Sequence, residues 1–245
     1  MRLAALVLAA LALSACETNQ ERSAKLEKTA KQRERAAVAR RTLAERVLTI
    51  TRQSTKVRVT ATAVLSSSEG AAAVVSLHNV SNTSLRDIPI QIHVLDSHGA
   101  SIYTNDTPGL APALVSAPLL PAHATLTWVD DQVQASGTPS SVSVKVGEGT
   151  PATGATPSLV VEGARQYEDQ TSGPAAEGSI VNHSAVTQQE LVVYAIARRA
   201  GKILAAGRAI LPTVPAGAST RFQIFFIGDP RGGSLEVNAP ATTLG

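Results

Sequence analysis

Cysteine is almost absent: the 245 residues contain one, Cys16. A single thiol excludes an internal disulfide framework and any cysteine-built metal centre within the chain. Aromatic side chains are scarce too, with one Trp, three Tyr and three Phe. Platforms for nucleic acid need several rings on one face, so no nucleic-acid partner is expected. The apolar run Leu3 to Leu13 is far short of the roughly 20 residues that cross a bilayer as a helix. Catalytic signatures are missing as well: there is no Gly-x-Ser-x-Gly elbow, no His-Glu-x-x-His and no Walker loop. No catalytic residue, metal or cofactor is therefore assigned, and the chain is read as a non-enzyme.

What is present begins with an export signal. Met1 and Arg2 form a positive start, and Leu3 to Leu13 is made of Leu, Ala and Val, the length and polarity of a secretory core segment. Leu13-Ser14-Ala15-Cys16 follows and resembles the lipobox of bacterial lipoproteins. The resemblance implies removal of residues 1–15 and lipidation of Cys16, so that a membrane partner is reached through a lipid anchor. Several acyl chains on one residue hold stably where one holds marginally. The expected location is extracytoplasmic, on the cell membrane or the outer membrane.

The positive charge is not spread evenly. Glu17 to Arg52 contains ten Lys or Arg against five Glu, whereas Gln53 to Gly245 is net negative. The basic part, 16–53, lacks Gly and Pro and is rich in Ala, Glu, Lys, Arg and Gln, which predicts a helical stalk. Its Ala36, Ala39, Leu43, Val47 and Ile50 form only a thin apolar stripe, so a solvated spacer is favoured over a lipid-bound helix.

The remainder is one β unit written twice. Ser76-Leu77-His78-Asn79 aligns with Ser179-Ile180-Val181-Asn182, and Leu120-Pro121-Ala122-His123-Ala124 aligns with Val214-Pro215-Ala216-Gly217-Ala218. Alternation of Val57, Val59, Ala61 and Ala63, and of Ile88, Ile90, Ile92 and Val94, predicts half-buried strands. Short strands with regular turn signals predict a mainly β fold of two tandem immunoglobulin-like β-sandwich domains, 54–147 and 158–245. The Gly-, Pro- and Thr-rich stretch 148–157 reads as the linker.

On these framework residues the two copies resemble the FxLYD group of bacterial extracytoplasmic domains. Its eponymous motif falls on Ile92 to Asp96 and on Tyr194 to Arg198, and only Asp96 keeps the letter. That resemblance implies an adhesion, assembly or envelope module without assigned ligand.

Residues 191–197 and 222–227 are apolar on both parities. Placing Val192, Tyr194, Ile196, Phe222, Ile224 and Phe226 in the core leaves Leu191, Val193, Phe225 and Ile227 on an outward apolar face, an interface candidate. The first copy or an envelope protein is expected to cover it. His93, Asp96 and His98 are read as turn residues rather than metal ligands, and Gly228 to Gly233 as a hairpin loop. Asn79, Asn82, Asn105 and Asn182 open glycosylation-type triplets. The expected function is a membrane-anchored, non-catalytic binding or scaffolding module of the cell envelope. The alternative is an accessory lipoprotein that binds a solute or polymer through interstrand loops.

Overall fold

The computed structural model describes residues 48–245, which belong to one compact unit. The fold is mainly β, in several antiparallel sheets, and no α-helix occurs among the described residues. In chain order the first strands are β1 (Val57–Ser67), β2 (Gly70–Asn79), β3 (Leu85–Leu95), β4 (Ser101–Thr104), β5 (Ser116–Leu120), β6 (Thr125–Val133), β7 (Ser141–Val146) and β8 (Thr150–Pro151). There follow β9 (Leu159–Asp169), β10 (Gly173–Asn182), β11 (Gln188–Arg199), β12 (Lys202–Val214), β13 (Ser219–Phe225), β14 (Ile227–Gly228) and β15 (Ser234–Asn238). A short 3-10 turn at Pro112–Leu114 precedes β5.

The strands make four layers. An outer N-terminal sheet is built on β3, which pairs with β5 and β8 along its first half and with β4 and β7 along its second. An inner N-terminal sheet has the order β1-β2-β6. An inner C-terminal sheet has the order β14-β12-β11-β15, and an outer one β13-β10-β9.

Alternation explains the layering. On β6, Trp128 points to the outer N-terminal sheet, where its indole N–H donates to the Ala113 carbonyl at 3.0 Å. Its neighbour Thr127 points the other way and accepts from Arg198 of β11. β2 is buried on both parities from Ala71 to Leu77, as a strand between two packed layers must be. The same holds for Leu191 to Ala197 of β11. One apolar cluster accordingly contains Ile90, Ile92 and Trp128 of the N-terminal half together with Val192, Tyr194 and Ile196 of the C-terminal half. A second contains Leu191, Val193, Phe222, Ile224 and Phe226.

A bulge steers β1 into this arrangement. Val59 pairs with Leu77 and Ala61 with Ser76, so Thr60 is the extra residue. Because one inserted residue reverses facing, Val57 and Val59 serve the N-terminal core while Ala61, Ala63 and Leu65 turn toward the C-terminal half. The unbroken alternation expected from Val57 to Ala63 is thus interrupted, whereas Ile88, Ile90, Ile92 and Val94 are all fully buried as expected.

The sequence repeat survives as geometry. Asn79 and Asn182 are both fully buried. Asn79 donates to the carbonyls of Thr83, Leu120 and Pro121 and accepts from the N–H and hydroxyl of Ser81. Asn182 does the same with Val186, Val214, Pro215 and Ser184. Each clips the turn after one strand to the Pro-Ala turn of another. Left-handed backbone recurs at matching places, Asp87 with Glu190 and His123 with Gly217.

The segment between the copies is held down. Thr150–Pro151 pairs with β3, and the Ala152 N–H donates to the Ser84 carbonyl at 2.8 Å. Ala155 and Gly245 exchange N–H···O bonds at 3.2 and 3.0 Å. Gly149 is required here, since a Cβ would sit 2.6 Å from the Ile88 side chain. Residues 48–53 are irregular and end in the Gln53–Gly147 bridge; the rest of the expected stalk lies outside the described residues.

Candidate functional site

The structure reverses the facing expected for β11. Leu191 and Val193 are fully buried in the C-terminal core with Phe222, Ile224 and Phe226. Val192, Tyr194 and Ile196 are the residues that face the N-terminal half. The cause is register: counted from the two clipped asparagines, Ile88 corresponds to Leu191, and the matching left-handed Asp87 and Glu190 just before them fix that count. Size misleads here, because core positions hold the small Ala195 and Ala197 while the bulkier residues meet the other half. Ile227 points outward from its own core as expected, and it is buried among N-terminal residues.

The seam between the two inner sheets is also polar at one end. Arg208 of β12 donates from Nε to Asp131 Oδ1 of β6 at 2.8 Å, and its side chain is only 4% exposed. Next to it Asp130 is fully buried. It accepts from the Tyr103 hydroxyl at 2.9 Å and from the Gln132 N–H at 2.9 Å. Burial pushes the Asp130 carboxyl up to about 6, partly offset by those hydrogen bonds and by Arg208. Burial and the Asp130 charge raise the Tyr103 phenol. The Tyr194 hydroxyl is buried without a hydrogen-bond partner among the described residues, and its ionisation is pushed upward by desolvation. This seam joins the two halves to each other, and its groups are buried or half-buried, which suits structure rather than ligand contact.

What stays accessible is the outer face of the C-terminal sheet. Ala175 pairs with Tyr167 on one side and Phe225 on the other. Directly paired residues share a face, so the two rings flank Ala175, which is fully buried between them. Phe225 is 43% exposed, the most exposed large apolar residue among the described residues. The adjoining row is Arg165, Glu177 and Gln223. Arg165 pairs with Glu177, and Gln223 donates to the Tyr167 hydroxyl. The result is an aromatic pair bordered by polar groups already satisfied by one another, which favours contact with a surface that brings its own partners. Sequence reasoning picked out Phe225 and missed Tyr167, because Tyr167 stands alone in a polar stretch and only cross-strand register reveals its neighbour.

Asp96 accepts from the N–H groups of His98 and Ala100 at 2.8 and 2.9 Å, which makes it a turn residue. His93 lies near the Ser101 hydroxyl instead. The stretch Gly228 to Gly233 is not a hairpin: it crosses from β14 at one edge of the inner sheet to β15 at the other. Asn79, Asn105 and Asn182 are fully buried, so these asparagines serve the fold. Cys16 lies outside the described residues.

No family model matches the chain, and no curated protein matches it.

Proposed function

We propose that the chain is a lipid-anchored extracytoplasmic lipoprotein of a bacterial envelope, acting as a non-catalytic binding or scaffolding module. Leu13-Ser14-Ala15-Cys16 behind an eleven-residue apolar run supports the anchor at Cys16. The four-layer β body supports a reading as two tandem immunoglobulin-like sandwiches, 54–147 and 158–245, with the buried Asn79 and Asn182 as equivalent clips. Their framework resembles the FxLYD group.

The observation that carries the binding role is Phe225, exposed beside Tyr167 on a sheet face where the adjoining Arg165 and Glu177 pair with each other and Gln223 with Tyr167. An exposed aromatic on a rigid sheet offers large contact area at little entropic cost. The partner is an envelope protein. Cell fractionation and intact mass test the anchor: Cys16→Ala loses the acyl increment and leaves the membrane fraction. An unchanged mass and distribution would overturn it.

A further inference from the structure

β1 is an end strand of its sheet. β2 takes one edge, and among the described residues no strand pairs with the other. Long open edges recruit foreign strands, and proteins usually blunt them with charge or proline. The other long edges follow that rule: β9 carries Glu162, Arg165 and Glu168, and β6 carries Asp130 and Asp131. From Val59 to Ser67, β1 reads VTATAVLSS, without charge, proline or glycine.

A cleft of about 640 Å³ runs along this stretch, and Ala61 through Ser66 line it without a gap. Successive strand residues point to opposite faces. Six consecutive lining residues of both parities therefore mean that the wall is the strand's edge, where its backbone groups lie. The opposite wall is the tip of the β11–β12 hairpin with the loop after β14. Arg198 there is held by Glu236 at 3.0 Å and by Thr127, and Arg231 by Asp229 at 2.7 Å. Arg199 and Lys202 are exposed and, among the described residues, in no ion pair. They are direct cross-strand partners around the Ala200-Gly201 turn. Like charges in that relation repel, so the rim of the cleft is built with an unmet need for anions.

We propose that this cleft takes an extended acidic segment of a partner polypeptide, which adds as a strand to β1 between Ala61 and Ser66 and sets its carboxylates against Arg199 and Lys202. Main-chain pairing supplies affinity that is indifferent to sequence, and the two cations select charge. The chain's own basic segment 17–52 has the wrong sign for the site. The inference rests on the reading of the protein as a binding module and adds a second site, whose lining includes neither Tyr167 nor Phe225.

The test uses the full chain in detergent micelles and the labelled peptide Glu-Val-Glu-Val-Glu-Val-Glu, followed by fluorescence anisotropy and amide hydrogen exchange. Saturable binding is expected, with slowed exchange confined to residues 61–66 of β1. Binding falls about tenfold or more in the Arg199→Glu/Lys202→Glu variant, whose exposed changes leave the thermal transition in place. It falls as far for a peptide N-methylated at alternate residues, which keeps every carboxylate but loses the ladder. Equal binding of the N-methylated peptide, or of inorganic polyphosphate of the same charge, would show a polyanion site and overturn the strand proposal. Absence of peptide binding, or indifference to the charge reversal, overturns it too. Loss of peptide binding with an intact Cys16-dependent membrane location removes this inference alone, and the reverse pattern removes the anchor alone.

Discussion

Arg208 and Asp131 join the two halves of the molecule at one end of a largely apolar seam, the Arg208 Nε donating to Asp131 Oδ1 at 2.8 Å and its backbone N–H to Oδ2 at 3.3 Å. Removing one member of such a buried pair leaves the other uncompensated, at a cost of about 3–5 kcal/mol. Arg208→Ala and Asp131→Ala are each expected to lower urea-unfolding stability by that order. Replacing both together, Arg208→Met with Asp131→Leu, recovers most of the loss. Single variants within about 0.5 kcal/mol of wild type would mean that the seam does not hold the halves.

Asp130 makes stability depend on pH in an unusual direction for a carboxylate. Its folded value of about 6 lies above its ordinary 3.8, so the folded state holds the proton more tightly than the unfolded chain. The stabilising contribution is full below pH 4 and is lost as pH rises through 6, a change of about 3 kcal/mol. Asn at this position cannot ionise. Denaturant titrations at pH 4 and pH 7.5 should therefore show the stability of Asp130→Asn minus that of wild type increasing as pH rises; a difference that stays constant or decreases contradicts the assignment.

Tyr194 buries a hydroxyl with no partner among the described residues. An unsatisfied buried group costs about 1–3 kcal/mol. Tyr194→Phe keeps the ring in the seam and is expected to raise the melting temperature. A lower melting temperature would show that the hydroxyl is satisfied.

The paired clips give a symmetry test. Asn79→Ala and Asn182→Ala each remove a side chain that serves three carbonyls and one Ser. Each is expected to cost about 2–4 kcal/mol. Because the halves share one apolar cluster, either change shifts a single unfolding transition. Two separate transitions would contradict the common core.

Much of this architecture was legible in the chain. The Asn-Ser and Pro-Ala repeats mark the clips because a buried Asn must satisfy all of its donors and acceptors locally. The Ile88 to Val94 alternation marks a strand because period two needs one wet face and one dry face. β11 defeated the same reasoning, since a strand dry on both faces has no parity to read. The bulge at Thr60 and the Tyr167–Ala175–Phe225 row are products of register between distant strands, which no local pattern encodes. The cleft beside β1 is of that kind as well, although the missing charge from Val59 to Ser67 was visible from the outset.

The central claim is that the outer C-terminal sheet face is the contact surface of a membrane-anchored module, and crosslinking in intact cells followed by pull-down of the tagged chain tests it most directly. Wild type is expected to yield a discrete crosslinked envelope protein that Phe225→Ser loses while keeping its own fold and membrane location. If Phe225→Ser retains the same crosslinked partner at wild-type yield, that face is not the binding surface.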